Sequence, residues 1–206
     1  MIAGILLAAG ESARMGRLKA LLPWRGTTLL QSQLAALETA AVSPLIVVLG
    51  HRAHELRELV PLPPRRERRG EGSLQVVVNE RYAEGKSTSI VAGVGALPAD
   101  AEAALIVAVD QPTEAAILQT LMEAYEAGRP RILLPSVQHR RGHPTLFDRA
   151  LFPELQAITE EREGLREVMT RHEAEIRYVD VETELVRVNV NSPEEYDAAY
   201  ARWGQL

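Results

Sequence analysis

Gly10 and Gly16 bracket five residues, Glu-Ser-Ala-Arg-Met, and the cations Arg14, Arg17 and Lys19 fall inside or just after that span. Backbone N–H groups of a glycine loop form a concavity for anions, and guanidinium and ammonium groups add charge and directed donors. The chemistry that such a loop serves is the holding of a polyphosphate. Ahead of it runs Ile5-Leu6-Leu7, apolar, too short to cross a membrane and suited to a buried parallel strand. Ala8, Ala9 and Gly10 are small enough for a flat ligand to approach the backbone. Two common phosphate loops do not fit. A Walker A loop has four residues between its glycines and then Lys-Ser/Thr, whereas five residues and then Arg17-Leu18 stand here; a dinucleotide fingerprint needs Gly-x-Gly-x-x-Gly, and position 12 is Ser.

Three further clusters carry chemistry. Asp110 follows Ala-Leu-Ile-Val-Ala-Val at 104–109, a second buried strand. A carboxylate at the carboxyl end of a central strand stands where open α/β sheets bind ligands. Beside a polyphosphate it is repulsive unless a cation intervenes, which makes Asp110 a candidate Mg²⁺ ligand, with a plain turn aspartate as the alternative. Gly85-Lys86-Ser87-Thr88-Ser89 brings three hydroxyls to a helix start, where they cap it or meet a ribose or base. Arg140-Arg141-Gly142-His143 suits an anionic acceptor, with His143 able to position or protonate a phosphate or, alternatively, structural before Pro144. His51 and His54 have a metal-like spacing but no third ligand nearby, so they read as surface histidines.

These groups must be positioned by alternating strands and helices. Pro23-Trp24-Arg25-Gly26 reads as a turn. Thr27 or Thr28 caps a helix to about Ala40 with Leu29, Leu30, Leu34 and Leu37 on one stripe. Strands follow at 45–49, 74–78 and 131–135, with a short helix over 50–60 and a helix over 114–127 capped by Thr113. Residues 61–72, Pro-Leu-Pro-Pro and then four arginines among glycines and glutamates, read as a solvated connection. The spacing predicts helices over 149–155 and 160–172 and a strand pair at 176–181 and 186–190, partly antiparallel. Ser192-Pro193-Glu194-Glu195 opens the last helix with a capping box. The alternation argues for a mostly parallel, doubly wound α/β sheet with helices on both faces, in one domain over 1–206.

Leu7-Ala8-Ala9-Gly10-x-Ser12-x-Arg14-Met15-Gly16-x-x-Lys19-x-Leu21-Leu22 resembles the signature of the molybdopterin NTP transferases, most closely the molybdenum cofactor cytidylyltransferases. The similarity continues in Ala83-Glu84-Gly85-Lys86-Ser87-Thr88-Ser89-Ile90, with Lys86 where the family has methionine and Thr88 where it has serine. It continues again in Asp110-Gln111-Pro112, with Val109 in place of a glycine, and in Arg140-Arg141-Gly142-His143-Pro144. The resemblance implies a three-layer, Rossmann-like fold of the nucleotide-diphospho-sugar transferase type with a small antiparallel element. It implies CTP as donor, Mg²⁺ as cofactor and molybdopterin or molybdenum cofactor as acceptor, with a molybdenum enzyme as transient recipient. Leu7, Ala8, Ala9, Gly10, Arg14, Lys19, Gly85 and Ser89 would bind nucleotide. Lys19, Arg14 and Asp110 would carry catalysis, Asp110 and Asn191 would hold metal, and Arg140, Arg141 and His143 would meet the acceptor. Asn191 stands where many cytidylyltransferases have aspartate, and it still offers a carbonyl oxygen.

A net charge of −5 gives no bulk attraction to nucleic acid. The absence of cysteine excludes disulfides and thiol catalysis. No apolar run approaches about 18 residues and no signal-peptide pattern opens the chain, so the expectation is a cytoplasmic protein without a membrane span. Three readings stand: transfer of CMP from CTP to molybdopterin with release of pyrophosphate; the same chemistry with GTP or a sugar-phosphate acceptor; and a non-catalytic molybdenum cofactor carrier. A nicotinamide oxidoreductase is a distant fourth, lacking the fingerprint.

Overall fold

The structure, a computed structural model, describes residues 1–61 and 74–205. Most of the expected connection at 61–72 lies outside the described residues.

The chain order begins β1 (Ile2–Ala8), β2 (Pro23–Trp24), β3 (Thr27–Thr28), α1 (Leu29–Thr39), β4 (Leu45–Leu49), α2 (Ala53–Glu58) and β5 (Leu74–Val78). It continues through α3 (Lys86–Gly95), β6 (Ala103–Ala108), α4 (Ala115–Gly128), β7 (Ile132–Val137), β8 (Arg140–Arg141) and β9 (Thr145–Asp148). It closes with α5 (Phe152–Gln156), α6 (Leu165–Arg171), β10 (Ile176–Asp180) and α7 (Pro193–Ala199). Among the described residues the main sheet runs β10-β7-β9-β6-β1-β4-β5, with β8 on β7. The β6-β1-β4-β5 half is parallel throughout.

Every residue of β1, β4 and β6 is buried. Strands covered on both faces must be apolar at successive positions, which is why they read as unbroken hydrophobic runs. Side-chain alternation then divides the core into two layers. Leu6, Val47, Leu105 and Val107 face α1, α2, α4 and α7. Ile5, Leu7, Ile46, Val48 and Ile106 face α3, α5 and α6. This is the three-layer α/β fold that the sequence implies, with a mostly parallel sheet and a small antiparallel element.

The antiparallel element lies elsewhere than expected. β9 inserts between β6 and β7 antiparallel to both, whereas β10 pairs with β7 in parallel. Residues 186–190 form no strand; a 3-10 turn at Glu184–Arg187 leads into an extended segment. Alternation at 186–190 reports burial of Val186 and Val190 against the core, not strand pairing. The helix expected over 160–172 is broken at Gly164 (φ 56°) and starts only at Leu165. Thr113 does not cap α4: Glu114 takes that position without a side-chain bond, and Thr113 is buried with its hydroxyl unpartnered. At α1 the expectation holds, since Thr28 and Gln31 form the reciprocal capping box.

Candidate active site

The parallel half of the sheet ends along one edge, and the glycine loop opens there. Val109 N–H donates to Leu7 O (2.9 Å) and His51 N–H to Ala9 O (3.0 Å), so both neighbouring strands hold the end of β1. Ser12 turns the loop with a left-handed backbone (φ 57°). Its hydroxyl accepts from Lys19 N–H (3.0 Å) and its carbonyl from Met15 N–H (2.8 Å). Met15 and Leu18 are buried and anchor the loop in the core. A Cβ at Gly10 would meet no protein atom within 4 Å, so space above the loop is open to a ligand.

Lys19 leaves this loop toward the end of β6. Its Nζ donates to Asp110 Oδ2 (3.1 Å) and to Asn191 Oδ1 (2.9 Å). The Lys19 side chain is 12% exposed and that of Asp110 28%, so the pair is partly desolvated while open to the cleft. Two devices bring the oxygens together. Gln33, buried on α1, donates to Ala108 O (3.2 Å) and Gln111 O (2.8 Å) and accepts from Thr113 N–H (3.1 Å), clamping the turn that carries Asp110. Val190 N–H donates to Asp110 O (2.8 Å), which lays Asn191 alongside. Ser192 then caps α7, accepting from Glu195 N–H (3.3 Å). The reciprocal bond of the expected capping box goes one residue earlier, from Asn191 N–H to Glu195 Oε2 (2.8 Å).

A cleft of about 290 Å³ runs from this cluster across the strand ends, near the lower end of small-molecule sites at roughly 300–1,000 Å³. Leu7, Ala8, Ala9, Gly10, Lys19, Gly85, Ser89 and Asp110 all line it. Its far wall is the start of α3. There the hydroxyls do not cap the helix: Thr88 donates to Arg81 O and Gly85 O (both 2.9 Å), and Ser89 accepts from the buried Asn79 Nδ2 (2.9 Å). The free Ser87 N–H is met from another loop by Glu160 Oε1 (2.6 Å). Gly85 (φ 119°) packs directly on the Glu160 side chain, so a Cβ is excluded there on both counts.

Beyond α3 a second cavity of about 630 Å³ adjoins the cleft. Lys86, Arg141, Arg166 and Arg187 supply its cations and Ile106, Leu134, Leu165 and Met169 its apolar wall. His143 also lines it, yet the imidazole faces inward chemically. Its Nε2 lies 2.7 Å from Val188 O, which fixes the proton on Nε2, and Nδ1 is buried without a partner. Burial pushes its pKa down to about 4, opposed by the Val188 carbonyl and the Asp110 charge. The ring is therefore neutral near pH 7 and cannot protonate a phosphate there. It instead ties the 140–144 segment to the tail that ends in Asn191, helped by His143 N–H to Val186 O (2.8 Å).

The structure thus brings Lys19, Asp110 and Asn191 together and sets Ala8, Ala9, Gly10, Gly85 and Ser89 around one cleft. Arg141 reaches the second cavity; Arg140 is exposed and does not line it. Arg17 lies over the Tyr196 ring (5.8 Å to its centre). Arg14 sits in the 3-10 turn Ala13–Met15, and its side chain lies outside the described residues. Sequence reasoning missed Gln33, Gly50, Glu160 and Arg166. Gly50 is required by close approach, since a Cβ would lie 2.7 Å from Ala9 O and 2.6 Å from Tyr82 Cβ. Gln33 did carry a signal, a polar residue inside the apolar stripe of α1.

Among the described residues no group of three or more His, Cys, Asp or Glu side chains is arranged to hold a metal ion. Asp110 and Asn191 nevertheless aim two oxygens at the point where the Lys19 ammonium stands. Mg²⁺ held largely by substrate phosphates and water needs only one or two protein oxygens, and this donor pair fits that demand.

A glycine loop at the carboxyl ends of parallel strands, facing an acid and a cation, stands where open α/β sheets bind their ligands. Residues 4–176 match the MobA-like NTP transferase domain, and the chain belongs to that family. It is a nucleotidyltransferase, moving a nucleotidyl group from an NTP to a phosphate acceptor. Nicotine blue oxidoreductase of Paenarthrobacter nicotinovorans is 29% identical, over 94% of this chain and 94% of that protein. Molybdenum cofactor cytidylyltransferase of Escherichia coli K12 is 27% identical, over 98% of this chain and 97% of its own length. The crystal structure of Rv0371c from Mycobacterium tuberculosis H37Rv superposes with a TM-score of 0.81 at 26% identity, covering 97% of both chains. Among the described residues no helix is long and apolar enough to cross a membrane.

Proposed function

We propose that the chain, working as one unit over 1–206, transfers CMP from CTP to the phosphate of molybdopterin or molybdenum cofactor, releasing pyrophosphate with Mg²⁺ as cofactor. The observation that carries this reading is the convergence of Lys19 Nζ on Asp110 and Asn191 at the mouth of the glycine-loop cleft. The donor and acceptor identities rest on the motif resemblance and on the 27% identical Escherichia coli relative.

Phosphoryl chemistry of this kind needs positioning and charge neutralisation more than a protein nucleophile. The glycine loop presents backbone N–H groups and open space to the phosphates. Lys19 faces the α-phosphate and offsets its charge as the leaving pyrophosphate separates. Arg14 is assigned to the β- and γ-phosphates by its place in the motif. Asp110 and Asn191 would hold Mg²⁺, which would supply charge neutralisation for the leaving pyrophosphate. The small side chains of Ala8 and Ala9, with Gly85 and Ser89 opposite, receive the ribose and base. His143 keeps the tail against Asp110, and Arg141 meets the acceptor with Arg140 at the rim. The product would pass to a molybdenum enzyme.

The test is pyrophosphate release measured with each of the four NTPs, with molybdopterin, with a sugar phosphate and with no acceptor. Release with CTP only when molybdopterin is present is the expected result. Release with GTP, or with the sugar phosphate, replaces donor or acceptor; binding of molybdopterin without release makes the chain a carrier. The oxidoreductase name of the Paenarthrobacter relative adds one arm, oxidation of a nicotinamide cofactor. Ser12 at the central glycine position of the dinucleotide fingerprint argues against it.

A further inference from the structure

We propose that Lys86 holds the acceptor's attacking phosphate against the α-phosphorus of the NTP. The inference rests on the nucleotidyl-transfer reading and adds to it a residue that matches no family motif.

Lys86 and Ala108 line both the nucleotide cleft and the second cavity. Ala108 offers a methyl group, so Lys86 is the charged side chain at the junction where acceptor and donor must meet. Its position at the start of α3 is electrostatically adverse, because the helix dipole opposes a cation there. No acidic residue shares that first turn. Glu160, packed against Gly85, gives its Oε1 to Ser87 N–H instead. Among the described residues no carboxylate pairs with Lys86, nor with Arg141 or Arg166 in the same cavity. Arg187, on the wall of the same cavity, pairs with Glu184 (3.4 Å), as Arg81 does with Glu84 and Arg129 with Glu102 outside it. Three cations without a carboxylate partner, Lys86, Arg141 and Arg166, thus line the cavity that opens on the cleft, an arrangement that an anionic ligand completes.

The other polar groups near the junction cannot take this part. His143 is neutral, with its N–H on Val188 O. Lys19 stands at the other end of the cleft, beside Asp110 and Asn191, where it serves the NTP's own phosphates. In the transfer step a deprotonated oxygen of the acceptor phosphate forms a bond to the α-phosphorus. The bond from that phosphorus to the α,β-bridging oxygen breaks, and its electron pair leaves with pyrophosphate. No proton moves, but two anions must come into bonding distance. The ammonium on its flexible stem lowers that repulsion throughout the approach. Ile106, Leu134 and Met169 then receive the apolar body of the acceptor, and Arg141 and Arg166 a second electron-rich end.

The experiment compares wild type, Lys86→Met and Lys86→Arg by pyrophosphate release with CTP, Mg²⁺ and molybdopterin. A second readout, independent of turnover, is 31P NMR titration of inorganic phosphate into protein saturated with α,β-methylene-CTP. Lys86→Met is expected to lower kcat/KM for the acceptor by roughly tenfold to a hundredfold and to weaken phosphate binding. The dissociation constant for CTP should stay within about twofold and the melting temperature should hold, with most acceptor kcat/KM recovered in Lys86→Arg. Wild-type acceptor kinetics and phosphate affinity in Lys86→Met, or a loss confined to CTP, overturns the assignment while leaving nucleotidyl transfer standing. Wild type that releases no pyrophosphate with any NTP and acceptor overturns the transfer reading and this assignment with it.

Discussion

Asn191 Oδ1 accepts a hydrogen bond from Lys19 Nζ at 2.9 Å, across 172 residues of chain. The same ammonium reaches Asp110 Oδ2 at 3.1 Å. One positive group therefore meets one negative and one neutral oxygen, where a second aspartate would give two negative ones. With a divalent cation and an NTP present, the neutral amide leaves one charge fewer to bind the metal. Asn191→Asp should lower the Mg²⁺ concentration needed for half-maximal pyrophosphate release, with the fold unchanged. A raised Mg²⁺ requirement in that variant would mean that the side chain faces Lys19 alone and not the metal.

Asp110→Ala removes the only charge opposite Lys19 in this cluster. Turnover should fall about a hundredfold or more. Because both side chains keep some exposure, the stability cost should stay near 1–2 kcal/mol, well short of a fully buried pair. Kinetics and urea melts on the same sample separate the two effects. Full Mg²⁺-dependent activity in the variant would remove Asp110 from the mechanism.

How far the sequence carries depends on what each element answers to. β4 and β6 are legible from their apolar runs, because strands covered on both faces admit little else. The loop from Gly10 to Lys19 and the turn at Asp110 are legible because glycine and charge are placed where packing alone would not put them. The pairing of β9 is not legible, since Thr145-Leu-Phe-Asp148 is compatible with either direction and with several neighbours. Nor is the fate of 186–190, whose alternating valines are buried by the turn at Glu184–Arg187 and not by a ladder. Residues that act across elements, such as Glu160 on α3, leave no local trace.

Gln33 is buried on α1 and makes three hydrogen bonds to the turn at 108–113. Gln33→Leu would leave Gln111 O and Thr113 N–H without this partner, while Ala108 O keeps the Gln111 N–H (2.9 Å), at about 1–3 kcal/mol for each group left unpaired. A loss of roughly 2–4 kcal/mol in unfolding free energy is expected, together with reduced turnover from a loosened Asp110. Unfolding curves superimposable on wild type would show that the clamp is dispensable.

Gly50 closes the gap between the end of β4 and Tyr82, where a Cβ would sit 2.7 Å from Ala9 O. Backbone cannot yield as a flexible side chain can, so Gly50→Ala must push apart the two strand ends that frame the cleft. About 1–3 kcal/mol of stability should be lost, and the KM for the NTP should rise. Unaltered NTP affinity in a destabilised variant would place the strain outside the cleft.

His172 is nearly buried between two carboxylates, Glu175 Oε1 at 2.6 Å from Nδ1 and Glu154 Oε2's partner oxygen Oε1 at 2.9 Å from Nε2. The hydrogen bond to Glu175 chiefly raises its pKa, burial opposing, and Glu154 adds to the rise. The imidazolium joins α5, α6 and the turn before β10. A group whose folded pKa lies above its unfolded value of about 6.5 gives its full stabilisation below that value. The contribution is then lost as pH rises through the raised folded pKa, when the ring must give up its second proton and one carboxylate loses its donor. Thermal melts of wild type and His172→Asn should therefore differ most at mildly acidic pH, above the carboxylate range, and converge as the solution is made alkaline. A difference that stays constant, or grows, across that interval would show that neutral packing and not the charged clasp is what His172 contributes.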